Sequence, residues 1–481
     1  MSSGVWFPTL GLVIWLCCLG PSQEGKILVV PVDGSHWLSM KILVKELVHR
    51  GHEILVLVPE TSMVIHGSEN YKTEIYTLAY TKDELEEKFN KMRDEVFQRA
   101  PGIMDFFHSV QRFVEFTLIQ MNGCESLLNN QSLMTRLRGE GFDLVLTDPF
   151  LPCGSILAHT FSIPAVYLLR GLPCGLHVQA NQCPSPVSYV PVFSSDNTGV
   201  MTFPQRVKNM FIFFMQPYVC KMIYAHFDDL VSRYLGDITT YKDLISHGAI
   251  WLIRDDFAFE WPRPLLPNMF FVGGINCAKK APLPPVLWRY TGVPPKDVPK
   301  NVRLMKWLPQ NDLLAHPKAK VFITHGGTHG VYEGICNAVP MFIFSLFADQ
   351  HENAHRMVTR GVAKTVTIHD VTTERIVDAL NKLIHDKSYK EKIVKLSQIH
   401  LDRPIEPLDL AAFWTEFVIK HKGAAHLRVA AHDLNWIQYH SLDVIGILLI
   451  ILLTVVWVML KCCLFCTRKC CRKGAPKTKS E

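Results

Sequence analysis

Apolar residues fall along this chain in short unbroken runs separated by amphipathic stretches, the pattern of buried parallel strands alternating with helices. Residues 26–31 and 52–58 read as buried strands, with a helix at 37–50 between them, so the chain opens on a βαβ unit. A third run, 142–149, ends in Asp148-Pro149. In the later half, 286–290 and 302–306 read as strands, and 321–324 is a further strand closing on His325-Gly326-Gly327. A helix from Thr328 is stopped by Pro340, and 341–344 is again strand-like. Helices at 373–385, 389–401 and 408–420 complete a second α/β half, divided from the first by a Lys- and Pro-rich linker at 273–285.

Three stretches break this rhythm. Residues 1–25 carry an apolar centre followed by Gly20-Pro21-Ser22 and read as a cleaved secretory leader. Residues 444–460 hold no charge and lie between Asp443 and Lys461, long enough to span a bilayer. The third is 205–224, with Met210, Phe211, Phe213, Phe214 and Met215: an apolar stripe of this kind is usually core, but a membrane-facing helix and the wall of a lipophilic pocket stay open as readings.

At 481 residues and 48% hydrophobic content, the chain fits two domains plus membrane segments. The formal charge of +6 belongs to residues 461–481, which hold seven Lys or Arg and one acid, so the rest is neutral and a nucleic-acid partner is not indicated. The same basic tail places itself in the cytosol and the body in the lumen. Seven of the 14 cysteines fall in the body, an odd number, so at least one stays free or pairs between chains. Asn130-Gln131-Ser132 is a glycosylation sequon. No internal repeat or low-complexity tract occurs.

Candidate chemistry gathers where strands end. His36 follows the first strand and Asp148 the third run, so both lie at the carboxyl edge of one sheet, where doubly wound folds bind ligands. A carboxylate there can orient an imidazole as a general base, although a loop histidine is more often a surface residue and Asp-Pro more often a turn. In the second half, the amides of Gly326, Gly327 and Thr328 sit at a helix N-terminus, a place for a phosphate. Glu333, farther into the helix, is set to accept ribose hydroxyls, and Asp349-Gln350 lies at the same sheet edge. Zinc at His325 and His329 is the weaker reading, because two glycines break the helical face and no acidic third ligand is spaced for it. No metal and no cofactor are expected.

Residues 321–350 resemble the signature of UDP-glycosyltransferases, with Ser345 where the family usually has proline, and chain-wide the sequence resembles the vertebrate UDP-glucuronosyltransferases of family 1 type. The resemblance implies a GT-B fold, two Rossmann-like domains facing across a cleft: an acceptor domain at 26–272, the linker, a UDP-sugar domain at 286–425, a juxtamembrane stretch at 426–443, a transmembrane helix at 444–460 and a cytosolic tail at 461–481. It makes His36 the catalytic base and Asp148 its partner. It sets Trp307 on the uracil with Gln310 beside it, His325 and Gly330 on the diphosphate with His329 adjacent, Glu333 on the ribose, and Asp349 and Gln350 on the sugar. Arg289 is a further anion contact.

The implied activity is inverting transfer of glucuronate from UDP-glucuronate to lipophilic phenols, alcohols, carboxylic acids or amines, in the endoplasmic reticulum membrane and in oligomers with itself or its relatives. One block is missing: relatives carry a strand, loop and helix of roughly 30 to 45 residues between Pro285 and Val286. A shortened chain that lowers the output of intact transferases is therefore the alternative expectation.

Overall fold

The computed structural model describes residues 24–98, 103–277, 287–295, 298, 300, 302–346 and 349–472. The expected leader, most of the linker, the 285/286 junction and the end of the tail lie outside these residues.

Strand β1 (Lys26–Val30), helix α1 (Ser35–His49) and strand β2 (Glu53–Pro59) form the opening βαβ unit. After β3 (Lys72–Tyr76) come α2 (Lys82–Gln98), α3 (Ile103–Asn129) and α4 (Gln131–Gly139), then β4 (Leu144–Thr147), α5 (Cys153–Phe161) and β5 (Ala165–Leu169). Short α6 (Leu176–Ala180), long α7 (Phe203–Leu235), short α8 (Tyr241–Ile245), β6 (Ile250–Ile253) and β7 (Met269–Phe271) finish the first half. Its seven strands pair in the order β3-β2-β1-β4-β5-β6-β7, every pair parallel. The strand order reverses between β1 and β4, where Val30 stands opposite Thr147. Both faces are covered by apolar clusters, and β4, β5 and β6 are buried throughout, which accounts for their unbroken apolar runs.

The second half contains β8 (Leu287–Arg289), β9 (Arg303–Met305), α9 (Gln310–Leu314), β10 (Phe322–Thr324), α10 (Thr328–Cys336), β11 (Met341–Ile343), α11 (Gln350–Thr359), β12 (Ala363–Thr365), α12 (Thr373–His385), α13 (Lys387–Leu401) and α14 (Pro407–His421). Among the described residues its strands do not form one sheet: β10-β11-β12 is one and β8-β9 another. Ile323 of β10 and Trp288 of β8 are exposed, whereas β11, paired on both sides, is fully buried.

Two expectations change here. The stripe at 205–224 lies in α7, whose residues from Cys220 onward pack into the core; before that point Phe203, Phe211, Phe214 and Tyr218 are each more than 60% exposed. The core reading fails for this segment because its apolar residues surround the helix, more than one packing face can cover. Helix α14, expected to finish the second half, crosses back: Ala411, Ala412, Val418 and Ile419 belong to the apolar cluster under the first sheet, and Trp414 stacks on Phe270 with centroids 4.0 Å apart. Its face of small residues admits close approach to that sheet.

The remaining segment, 428–481, is a separate unit holding α15 (Trp436–Tyr439) and α16 (Leu442–Arg472). Within α16, Leu442–Arg468 is long and apolar enough to cross a membrane. Residues 461–468, expected to begin a tail, continue that helix.

Packing of the first half is tight enough to test. A Cβ at Gly154 of α5 would overlap the buried Thr147 side chain, whose hydroxyl donates to the Val30 carbonyl at 2.7 Å. Gly154→Ala is expected to lower stability by about 2 kcal/mol, read as a reduced urea midpoint of the full chain in detergent.

Candidate functional site

Strand β1 delivers His36 to the first turn of α1, and β4 delivers Asp148 beside it, both at the point where the strand order reverses. His36 Nδ1 and Asp148 Oδ2 are 2.7 Å apart. Asp148 is 2% exposed, and its other oxygen accepts the Phe150 amide at 2.9 Å. Both carboxylate oxygens are thus engaged, the imidazole donates from Nδ1, and Nε2 is left to accept a proton. Phe150 lies against the ring, centroids 5.2 Å apart.

Across the cleft, Gly326 adopts φ +86°, and a Cβ there would approach Ile343 to 2.7 Å, so the turn after β10 requires glycine. The Gly326 amide donates to Thr324 Oγ1 at 3.3 Å, which removes it from the expected anion cradle. The cradle shifts one residue on. Gly327 caps α10 without a side chain, and the first-turn amides of Thr328, His329 and Gly330 have no acceptor within the helix.

His325 opens to the cavity, and burial together with Arg289 lowers its pKa against the opposing pull of Asp349. The carboxylate of Glu333, 5% exposed, meets His329 Nε2 at 3.3 Å and Gln310 Nε2 at 2.5 Å, which leaves acceptor capacity for two ribose hydroxyls. Trp307 is 59% exposed, with the Arg289 guanidinium over one face at 5.1 Å; Arg289 therefore packs on the indole and leaves the other face for a flat base. Asp349 Oδ2 accepts from Thr328 Oγ1 at 2.8 Å and Asn353 Nδ2 at 2.9 Å, fixed in front of the cradle. Gln350 is buried and its amide oxygen accepts the Leu346 amide, so its role in holding a sugar is the least direct of the set.

His36 and the cradle line one cavity of about 2280 Å³, and so do Arg289, Trp307, Gln310, Glu333 and Asp349. Apolar side chains of the first half, Phe113, Phe150, Leu172, Val178, Phe211 and Val219, form part of its wall. The exposed start of α7 is thus in part a pocket wall.

Several residues at this junction were not expected from sequence. Arg254, buried just past β6, donates to Ser39 Oγ at 2.6 Å, and Ser39 Oγ lies 3.3 Å from His329 Nδ1, a link from helix α1 to the cradle. Arg170, just past β5, pairs with Asp255 at 2.7 Å and donates to Thr328 Oγ1 at 3.2 Å. Arg356 of α11 clasps Glu260 through three hydrogen bonds. Burial pushes Glu260 up, but Arg356 and Arg170 outweigh it and hold it below the usual carboxylate range, whereas burial raises Asp255 despite its Arg170 partner. With two guanidinium groups against it, Glu260 carries the charge. The signal was available: Arg170 and Arg254 each follow a fully buried strand at the same sheet edge as His36.

The family model for UDP-glucoronosyl and UDP-glucosyl transferase matches residues 25–285 and 284–477. The chain belongs to this family. It is 56% identical to a UDP-glucuronosyltransferase of Pleuronectes platessa, covering 88% of this chain and 100% of that one. It is 45% identical to UDP-glucuronosyltransferase 1A1 of Homo sapiens, covering 97% and 96% respectively. That human alignment spans 515 positions, more than the 481 residues of this chain, so the relative contains residues without a counterpart here. Among solved structures, the calicheamicin glycosyltransferase CalG4 matches with TM-score 0.52 at 18% identity over 83% of this chain and 99% of that one, and the glycosyltransferase of kitacinnamycin with 0.51 at 18%, over 83% and 100%. The fold of this transferase is GT-B.

Acid should loosen the cavity wall. Burial depresses the His177 pKa to about 3, with Arg263 and Arg170 adding to the effect, and His177 Nδ1 accepts the Leu172 amide at 3.1 Å. A histidine whose folded pKa lies below its unfolded value stabilises above about pH 6.5, and that contribution is lost as pH falls toward 3. The unfolding midpoint should therefore drop between pH 7 and 4, and His177→Asn should flatten that slope.

Proposed function

We propose that this chain transfers glucuronate from UDP-glucuronate to small lipophilic acceptors by a single inverting displacement. The observation that carries the reading is the His36–Asp148 pair facing the α10 cradle within one cavity. Uracil stacks on the free face of Trp307, the ribose hydroxyls meet Glu333, and the diphosphate takes the amides at the start of α10 with His325 and Gly330. Asp349 and Gln350 lie toward the sugar. The acceptor enters along the Phe113, Phe150 and Phe211 wall, and its hydroxyl donates to His36 Nε2 as oxygen attacks C1 opposite the leaving UDP. Asp148 stabilises the imidazolium that forms. The acceptor can be a phenol, alcohol, carboxylic acid or amine, and the wall is apolar enough for any of them. A nucleotide sugar is a substrate here, and no step calls for a metal or cofactor.

His36→Ala should reduce kcat toward a phenol about 10²- to 10⁴-fold and leave UDP affinity unchanged by isothermal titration. Equal loss of both would remove His36 from the chemistry.

We propose for the chain a single-pass place in the endoplasmic reticulum membrane, its basic end cytosolic and its active half lumenal. Helix α16 and the basic residues from Lys461 support this. Asn130 is then a glycan site, its Oδ1 capping α4 by accepting the Leu133 amide.

A second reading has its own observation. In the first half, β1 joins β2 to β4 at the centre of the sheet; in the second half, β8-β9 and β10-β11-β12 are separate sheets among the described residues, and by analogy a strand between β8 and β10 would join them. That is the strand expected to be absent at 285/286, and the family model's break at 284–285 supports it. A central parallel strand is buried on both faces, so its omission leaves two open edges and weakens the donor side. In this reading the chain is a membrane-bound partner that pairs with intact relatives and lowers their output. Restoring the segment from the Pleuronectes platessa relative should tighten UDP binding at least tenfold. Equal affinity with and without it would dispose of the impaired-donor reading.

A further inference from the structure

Away from the cavity, the end of the first half meets the end of α10. Cys277 and Cys336 form a disulfide, and a ring nitrogen of His400 lies within 4.8 Å of both sulfurs. His400 is 2% exposed, and its Nδ1 is bonded to Asp256, which also receives the Arg403 guanidinium. The other oxygen of Asp256 accepts the amides of Ala258 at 2.8 Å and Phe259 at 3.1 Å. Burial pushes the Asp256 carboxyl up, but His400 and Arg403 outweigh it and hold the group below the usual carboxylate range. An ionised carboxylate on Nδ1 keeps the ring in one orientation, and Nε2, the other ring nitrogen, lies 3.2 Å from the Arg403 guanidinium.

Gly274 shows where that nitrogen faces. At φ +81° it leaves open the space that a Cβ would take, and a Cβ there would collide with His400 Nε2 while lying 3.3 Å from Cys277 Sγ. His400 Nε2 and Cys277 Sγ therefore border the same gap. The other disulfide, Cys124–Cys153, lies in the apolar core of the first half. The transfer reaction uses none of Cys277, Cys336, His400 or Asp256.

We propose that Cys277–Cys336 is a redox-active disulfide, with His400 as the proton donor to the departing Cys277 thiolate and Asp256 as its positioning residue. The co-reactant is a dithiol. Its thiolate attacks Cys336 Sγ, the S–S bond breaks, and Cys277 leaves with the electron pair and takes a proton from the His400 imidazolium. The second thiol of the reductant then attacks the mixed disulfide, releasing Cys336 as a thiolate that is protonated from solvent while the reductant departs as its own disulfide. Two electrons and two protons pass to the cysteine pair. Protonating the leaving thiolate lowers the barrier, because thiol exchange is faster when the leaving group is a better one. Cys336 ends the helix whose first turn forms the cradle, so opening the bond removes one tie between that helix and the end of the first half, beside the hydrogen bond that Asn276 donates to the His329 carbonyl at 3.1 Å.

The test treats the full chain in detergent with limiting dithiothreitol, quenches by alkylation and follows each disulfide by peptide mass. Cys277–Cys336 should open at least about tenfold faster than Cys124–Cys153, and His400→Gln and Asp256→Asn should each slow its opening about tenfold while leaving Cys124–Cys153 unchanged. A purely structural role predicts the opposite sign, since loosened packing exposes the bond and speeds its reduction. Faster or unchanged opening in His400→Gln overturns the proposal. Should that variant fail to fold, the order of opening in the unaltered chain decides, and simultaneous opening of the two disulfides overturns it as well.

Discussion

A carboxylate buried at the reversal point of a parallel sheet must be satisfied, and the rest of the site follows from how Asp148 is satisfied. One oxygen is taken by the Phe150 amide and the other by His36 Nδ1, so the imidazole has one tautomer and one outward nitrogen. The pairing of Val30 with Thr147 makes this possible by bringing the ends of β1 and β4 side by side. A slip of one residue in that register would turn the His36 and Asp148 side chains apart.

The same sheet edge carries the connection to the second half. Arg170 and Arg254 leave the ends of β5 and β6 and reach Thr328 and, through Ser39, His329, the residues that open α10. Buried charges of this kind are costly unless paired; Arg170 is paired with Asp255 and Glu260, with Tyr332, Asn353 and Arg356 around them, while Arg254 is bonded to Ser39. The two halves are joined by polar contacts directly behind the cradle, while the acceptor side is walled by aromatic and aliphatic side chains.

Much of this was legible in sequence because buried parallel strands read as unbroken apolar runs. Residues 26–31, 142–149 and 321–324 thereby located the sheet edge that carries His36, Asp148 and the glycine turn, although β4 is two residues shorter at each end and His36 lies in the first turn of α1. The α7 segment stays open between core, membrane face and pocket wall in sequence because it is apolar on all sides and burial depends on which elements arrive to cover it. The destination of α14 was hidden for a related reason: an amphipathic helix advertises a face without naming its partner. Arg170 and Arg254 each close a buried apolar run and could be placed at the sheet edge, but Asn353 carries no such signal, and only the closed cleft brings it to Arg170. The odd cysteine count required at least one body cysteine to stay free or pair between chains, and Cys174, Cys183 and Cys220 are free among the described residues, but pairing itself is set by geometry that no spacing reveals.

The return of α14 to the first sheet has a consequence for how the chain can be divided. Ala411, Ala412, Val418 and Ile419 cover Val44 and Leu47 of α1 and the neighbouring strands, so the amino-terminal half acquires its full lower layer only after residue 421 has been synthesised. During translation the second half must already be made while the underside of the first is covered only in part, by α1. Cutting the chain at the linker would therefore yield an acceptor half with an uncovered apolar floor and a donor half with a surplus helix, neither of them an autonomous domain.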